Sequence, residues 1–90
     1  MDFVNAKQMS LENPTTFFVP SEEELNNLKL KDFVKVSIGT ERFWVKIKKI
    51  DGDKIIGEVY NNLIRTHIHG LSYLDEVTII KDNVFQITPK

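Results

Sequence analysis

Two histidines are the residues of this chain that most resemble half of a metal site. His67 and His69 stand two positions apart, so both side chains point to the same side if the backbone is extended. Such a pair can bind zinc or non-haem iron, but a third ligand is required, and the spacing selects none of Asp75, Glu76 and Glu58. The simpler interpretation is two histidines of a loop or edge strand, and we expect no metal and no cofactor.

Other common catalytic patterns are missing from the sequence. The chain has no cysteine, which excludes disulfides, thiolate catalysis and cysteine-bound zinc. No serine stands in a Gly-x-Ser-x-Gly turn, and the scattered glycines form no phosphate-binding loop. The sequence therefore predicts a protein that is not an enzyme.

The only tryptophan lies among basic residues in a predicted hairpin. Trp44 follows Arg42 and precedes Lys46 and Lys48, and Tyr60 lies on the next predicted strand. Aromatic rings beside cations can stack on nucleic-acid bases or hold a peptide. These five residues are therefore the candidate binding site.

The spacing of apolar residues predicts which side chains share a face of this hairpin. A two-residue turn at Asp51-Gly52 would bring Glu58 into the apolar row of Val45, and burying that carboxylate unpaired would cost several kcal/mol. A three-residue turn over 51–53 avoids this conflict. It gives the pairs Val45–Val59, Ile47–Gly57, Trp44–Tyr60, Lys46–Glu58 and Lys48–Ile56, and it leaves Lys49 on the Val45 face at the strand end.

Two interpretations of the face that carries Trp44 remain open. In one, Trp44, Tyr60 and Ile56 form a minor core that is covered by residues 15–20 and by the first helix, with lysine and arginine stems at the rim. In the other, the same rings form an exposed aromatic and basic platform. We favour the first, because small domains rarely leave such a pair uncovered without a use.

The elements that position these residues follow from the hydrophobic pattern. A weak helix is predicted within 1–12, an extended segment over 14–20, and a second helix that begins at Ser21, where Glu24 completes a capping box. From residue 31 the period changes to two, which predicts strands. They lie at about 33–38, 42–50, 54–60, 76–81 and 83–87. We expect a mainly β fold, a small five-stranded partly open barrel, SH3-like or else OB-like, preceded by one or two short helices.

Length and charge set the remaining expectations. The 90 residues predict one domain, with an arm over 1–30 that packs on a barrel over 31–88. The formal net charge of −1 argues against a dedicated nucleic-acid binder. The sequence contains no apolar run of about 20 residues that could span a membrane, and no secretory signal. We expect a cytoplasmic monomer.

Leu28-x-x-x-Asp32-x-Val34-x-Val36 repeats as Leu71-x-x-x-Asp75-x-Val77-x-Ile79, which indicates the same turn before two strands. The chain also resembles, over about 14–87, small bacterial proteins of unknown function close to the YegJ-like domain. The resemblance rests on Glu41-Arg42-Phe43-Trp44-Val45, Asp51-Gly52-Asp53 and His69-Gly70-Leu71. It implies a compact β domain and no assigned activity. Such proteins often have glycine at the positions of Lys31 and Leu74.

Three functions are compatible with these patterns. The first is a non-enzymatic module that binds a protein or peptide, as an adaptor or inhibitor, because aromatic faces and strand edges recognise peptides. The alternative is binding of single-stranded nucleic acid through Arg42, Trp44, Lys46, Lys48 and Tyr60. A metal-dependent enzyme at His67 and His69 is the third and the least supported.

Overall fold

A short helical segment precedes the sheet. The computed structural model describes residues 3–13, 15, 19–39, 41–60 and 73–88. Helix α1 spans Ala6–Glu12 and helix α2 spans Glu22–Asn26. Both hydrogen bonds of the capping box at α2 are present, since Glu24 N–H donates to Ser21 Oγ and Ser21 N–H donates to Glu24 Oε1, each at 3.1 Å. Neither helix is long and apolar enough to cross a membrane, and the same holds of every helix in the described ranges.

The rest of the described chain is built on one antiparallel sheet of five strands. The strands are β1 (Phe33–Ile38), β2 (Glu41–Asp51), β3 (Lys54–Val59), β4 (Glu76–Ile80) and β5 (Gln86–Thr88). Their order is β4-β3-β2-β1-β5, and a 3₁₀ turn over Lys81–Asn83 leads from β4 to β5. The predicted mainly β fold with five strands is confirmed. Within the described residues the sheet does not close, because β4 and β5 form its two edges.

One side of the sheet, which we call the Val45 face, carries the hydrophobic core. Alternate residues of four strands are buried there together with Leu28 and Val84. The members on the strands are Val34, Val36, Phe43, Val45, Ile47, Ile55, Val59, Val77 and Ile79. We call the opposite side, which carries Trp44, the Trp44 face.

The N-terminal segment packs on the Val45 face and not on the Trp44 face. Phe3 pairs with Ile38 in an isolated bridge, and its ring centroid lies 6.3 Å from that of Phe43. Leu25 of α2 also packs against the core, and Ala6 of α1 is fully buried. The expectation that the first helix covers Trp44 is therefore wrong, because the larger apolar surface of the sheet attracts the helices to its other side. Of the predicted cover over residues 15–20, Val19 and Pro20 line a groove beside the helices, and residues 16–18 lie outside the described residues.

The β2–β3 hairpin has the predicted pairs near Trp44, but they result from a β-bulge and not from a longer turn. Val45 lies opposite Val59, Lys46 opposite Glu58 and Ile47 opposite Gly57, as predicted. The turn contains only two residues, because Asp51 pairs with Lys54. Gly52 has a φ of 59°, which matches the first central residue of a type II′ turn.

The extra residue lies in the strand, where Lys48 forms a β-bulge. The register shifts between Ile47 and Lys49, so Lys49 and not Lys48 lies opposite Ile56. The predicted Lys48–Ile56 pair and three-residue turn are therefore wrong. The bulge also corrects the predicted side of Lys49, which now shares the Trp44 face with Ile56.

The sequence repeat before β1 and β4 corresponds to one repeated geometry. Lys31 N–H donates to Ile47 O at 2.8 Å and Leu74 N–H donates to Val59 O at 2.7 Å. Lys31 has a φ of 76° and Leu74 a φ of 70°. Both residues adopt the left-handed conformation that glycine occupies at lower cost.

Candidate functional site

Strand alternation and register place a mixed aromatic and charged set on the Trp44 face. Phe33 and Lys35 of β1 lie opposite Lys46 and Trp44 of β2. Thr88 of β5 lies opposite Phe33. Tyr60 follows β3 and donates its N–H to Trp44 O at 2.8 Å, which extends the hairpin pairing by one residue. The sheet therefore brings aromatic side chains from three neighbouring parts of the chain together beside two lysines.

These side chains enclose a shallow depression that we call the aromatic trough. It has a volume of about 320 Å³ and is lined by Phe33, Trp44, Tyr60 and Thr88. The ring centroids of Phe33 and Tyr60 lie 5.3 Å apart at an angle of 64°, an edge-to-face contact. Trp44 is half-buried and 38% of Tyr60 is exposed. The rings therefore hold each other in place and still present apolar surface.

Lysine ammonium groups lie over two of the rings. Lys35 Nζ is 5.3 Å from the Trp44 ring centroid and Lys46 Nζ is 5.4 Å from that of Tyr60. Cation–π contacts at exposed sites contribute about 0.5–1 kcal/mol each. The trough is thus flanked by two cations whose ammonium groups lie over its aromatic walls.

Arg42 belongs to the same face but lies beyond the trough. Its guanidinium carbon is 4.6 Å from the ring centroid of Phe85, and that ring is buried. Phe85 is not a member of the main core cluster. Arg42 therefore covers a separate aromatic side chain, and the structure places it apart from the predicted group around Trp44.

Lys48 lies at the bulge and pairs with an acidic neighbour. Its Nζ is 3.9 Å from Glu58 Oε1, with 49% and 30% of the two side chains exposed. An exposed ion pair of this kind contributes about 0–1 kcal/mol. The structure thus brings together Trp44, Lys46 and Tyr60 of the five predicted residues, with Lys48 at the bulge two residues further along β2.

Positive charge is concentrated on the Trp44 face. The described strands place six of the chain's 12 basic residues there, but three of its 13 acidic residues. The basic residues are Lys35, Arg42, Lys46, Lys48, Lys49 and Lys54, and the acidic residues are Asp51, Glu58 and Glu76. Their formal charge is +3, whereas the whole chain carries −1.

A second tyrosine extends the aromatic cluster. The ring centroids of Tyr60 and Tyr73 lie 5.5 Å apart. Desolvation first, and then the neighbouring phenol of Tyr60, raise the pKa of the Tyr73 phenol above its ordinary value. A tyrosine phenol is neutral at neutral pH even at its ordinary pKa of about 10, so Tyr73 adds no negative charge beside the trough.

Phe33, Lys35 and Thr88 were not among the predicted site residues. The alternation of β1 already places Phe33 and Lys35 opposite to Val34, so the sequence contained a signal for both. Thr88 reaches the trough through the pairing of β5 with β1, which joins distant parts of the chain. No local pattern predicts that pairing.

A larger groove lies between the helices and the β2–β3 turn. It has a volume of about 540 Å³, and its lining includes Lys7 and Lys81 as well as Glu22, Asp53 and Asp82. Its charges are mixed, and none of the described residues that line it is aromatic. This composition favours no particular class of ligand, and the groove is therefore not the leading candidate site.

The metal hypothesis falls on the part of the chain that the structure does not describe. His67 and His69 lie outside the described residues, so a site at these histidines stays a prediction. Among the residues that are described, no group of three or more histidine, aspartate or glutamate side chains could hold a metal ion.

Comparisons with family models, with curated proteins and with solved structures find no match to this chain. The resemblance to the YegJ-like proteins therefore stays a prediction from the sequence motifs. The geometry of the Trp44 face is then the main guide to the function of this protein.

Proposed function

We propose that this protein is a non-enzymatic interaction module that binds a peptide segment of a partner protein in the aromatic trough. The observation that carries this proposal is the trough itself, in which Phe33, Trp44 and Tyr60 surround a volume of about 320 Å³. Aromatic pockets on a rigid sheet are the usual receptors for an anchoring side chain of a peptide.

The position of the trough supports this function. Phe33 and Trp44 lie on neighbouring strands in the sheet, β1 and β2, whose backbones are fixed by six residue pairs. Rings that are held by the sheet lose little conformational entropy when a ligand binds. An anchor side chain can therefore be buried there at low cost.

The topology supports an SH3-like arrangement over an OB-like one. A meander from β1 to β4 is followed by a 3₁₀ turn, and β5 returns to pair with β1. Small barrels of the SH3-like type bind proline-rich or other short peptides in aromatic-lined grooves. The fold supports peptide binding only by analogy, and the trough supports it directly.

Selection from a random displayed peptide library tests the proposal. We expect peptides selected on the wild type to bind Tyr60→Ala about tenfold or more weakly, because the anchoring side chain of the peptide loses its contact with the Tyr60 ring. Thr88→Gln, which narrows the trough with a longer side chain, provides a second variant with the tyrosine intact. Leu11→Ala is the control, since it removes an apolar side chain that is 73% exposed on α1.

Two outcomes contradict the proposal. The first is that no peptide is enriched over a blank surface. The second is that the enriched peptides bind Tyr60→Ala and Thr88→Gln as tightly as the wild type while both variants keep the wild-type circular dichroism spectrum. Loss of affinity in Leu11→Ala alone would show that the peptide binds near helix α1 and not in the aromatic trough.

Single-stranded nucleic acid is the second candidate ligand of the same face. The observation in its favour is the excess of six cations over three carboxylates on the Trp44 face. This candidate requires Trp44 fluorescence to change with an oligothymidylate at low salt, and the effect to weaken as salt is added. Unchanged fluorescence at low salt would eliminate it.

A further inference from the structure

We propose that the peptide segment bound by the Trp44 face is acidic, with carboxylates on both sides of an apolar anchor that enters the aromatic trough. This inference rests on the proposed function and adds the chemical class of the partner. The inference is argued from the distribution of charge on the Trp44 face. A panel of ligands distinguishes a wrong choice of acidic partner from failure of the proposed interaction module.

The cations stand where a peptide that fills the trough would have its flanking residues. Lys35 lies over Trp44 on one wall and Lys46 lies over Tyr60 on another. The attraction of each ammonium group to its ring limits the freedom of the lysine before a ligand arrives. Carboxylates that meet such oriented ammonium groups form ion pairs at a smaller entropic cost than pairs between two mobile chains.

The β-bulge of β2 increases the charge on this face. A regular strand would alternate Ile47, Lys48, Lys49 and Ile50 between the two sides and would direct one lysine toward the core. The bulge instead places Lys49 opposite Ile56 and returns Ile50 to the core beside Ile55. Lys48 and Lys49 therefore both lie on the Trp44 face. Bulges commonly redirect a side chain in this way.

Charge complementarity favours an acidic partner over a neutral or basic one. The described strands give the Trp44 face a formal +3 on a chain of −1, and the charges nearest the trough are the ammonium groups of Lys35 and Lys46. Such a local field attracts anionic segments and repels basic ones. Lysines at the edge of the trough also increase the association rate.

Two features favour an acidic peptide over a nucleic acid. The ammonium groups lie over the rings of Trp44 and Tyr60, so a stacking base would have to displace them. Phe33 and Tyr60 meet edge to face, which leaves no parallel pair of faces there for successive bases. Glu58 lies opposite Lys46 and would repel a continuous phosphate backbone, whereas a peptide can place a neutral residue there.

A panel of synthetic ligands tests this assignment with the full chain. Three peptides of about six residues, the usual length of a strand, share a central leucine that is flanked by glutamates, by serines or by lysines. A labelled oligothymidylate serves as the nucleic-acid probe. Binding is measured by fluorescence anisotropy at low and at physiological salt.

We expect the glutamate-flanked peptide to bind about tenfold more tightly than the serine-flanked one at low salt, and the lysine-flanked one to bind most weakly. The double variant Lys35→Gln/Lys46→Gln is expected to bind the glutamate-flanked peptide about threefold to tenfold more weakly and the serine-flanked peptide nearly unchanged. Lys7→Gln/Lys29→Gln removes the same charge away from the sheet and is expected to have little effect.

The outcomes distinguish the two proposals. Equal binding of the glutamate- and serine-flanked peptides, with both lost in Tyr60→Ala, overturns the acidic partner and leaves the interaction module intact. Tighter binding of the oligothymidylate than of any peptide overturns the acidic peptide in favour of nucleic acid. Failure of all three peptides to bind overturns the acidic partner, and failure of the library selection to enrich any peptide overturns the interaction module as well.

Discussion

Two residues with unusual backbone angles link the sequence repeat to the geometry of the sheet. Lys31 and Leu74 both have positive φ, and each donates its N–H across to the neighbouring strand at the entrance to β1 or β4. The left-handed conformation costs a residue with a side chain about 1–2 kcal/mol. The two turns therefore keep their shape at a cost that glycine would largely remove.

Lys31→Gly should raise the free energy of unfolding by about 0.5–1 kcal/mol, because relief of that cost exceeds the extra backbone entropy of glycine in the unfolded chain. Leu30→Gly is the adjacent control, since Leu30 does not have positive φ, and it should lower stability by a similar amount. Urea unfolding followed by circular dichroism measures both. Equal destabilisation by the two substitutions would contradict the backbone argument.

Gly57 has a different role, since the backbone and a core side chain approach it closely. A Cβ atom at this position would lie 2.5 Å from Lys46 O and from Val45 Cγ1. Gly57→Ala should therefore lower the free energy of unfolding by about 1–3 kcal/mol. Thr78→Ala, an exposed site on the neighbouring strand, is expected to change it by less than about 0.5 kcal/mol. An equal shift of the two urea midpoints would argue against close packing at Gly57.

At the scale of elements, the bulge in β2 decides which side chains surround the trough. It allows the two-residue turn at Gly52 and still keeps Val45 and Ile47 in the core. Since the bulge adds one residue to a ladder that is otherwise regular, its removal should leave every pair of the hairpin in place.

Deletion of Lys48 is thus expected to leave the fold intact and to change the free energy of unfolding by about 1 kcal/mol or less, the value of its exposed ion pair. Deletion of Lys46 should instead turn Ile47 outward and bring Lys48 to the core face, at a cost of several kcal/mol. Thermal melts of the two shortened chains compare these costs. A deletion of Lys48 that unfolds the protein would contradict the register.

The hairpin also shows how far the sequence predicts this structure. The apolar spacing of Val45, Ile47 and Val59 required one extra residue between the strands, and this requirement predicted three of the observed pairs. It could not decide whether that residue lies in the turn or in the strand, because both solutions bury the same side chains. Of the residues that line the trough, the sequence predicted Trp44 and Tyr60. It did not predict Thr88, because β5 reaches Phe33 only through a pairing between distant parts of the chain.

For the molecule as a whole, the central result is the separation of two surfaces. In the described part of the chain, Phe3 and Leu25 of the N-terminal segment pack on the Val45 face, and the Trp44 face carries aromatic rings among cations. The affinity for an acidic partner bound there should depend on salt, because the attraction between exposed charges is screened over a Debye length of about 10 Å at 0.1 M ionic strength. Affinity for the glutamate-flanked peptide should therefore fall several-fold between low and physiological salt, while that for the serine-flanked peptide should stay nearly constant.

Chemical-shift mapping of the isotope-labelled full chain, titrated with the glutamate-flanked peptide, is the most direct test of binding at the Trp44 face. We expect the largest changes at the Trp44 indole and at the amides of Phe33, Lys35 and Tyr60, with little change around Leu11. Changes concentrated on α1, α2 and the β2–β3 turn, with an unaltered Trp44 indole, would show that the peptide binds elsewhere and would contradict the proposed site.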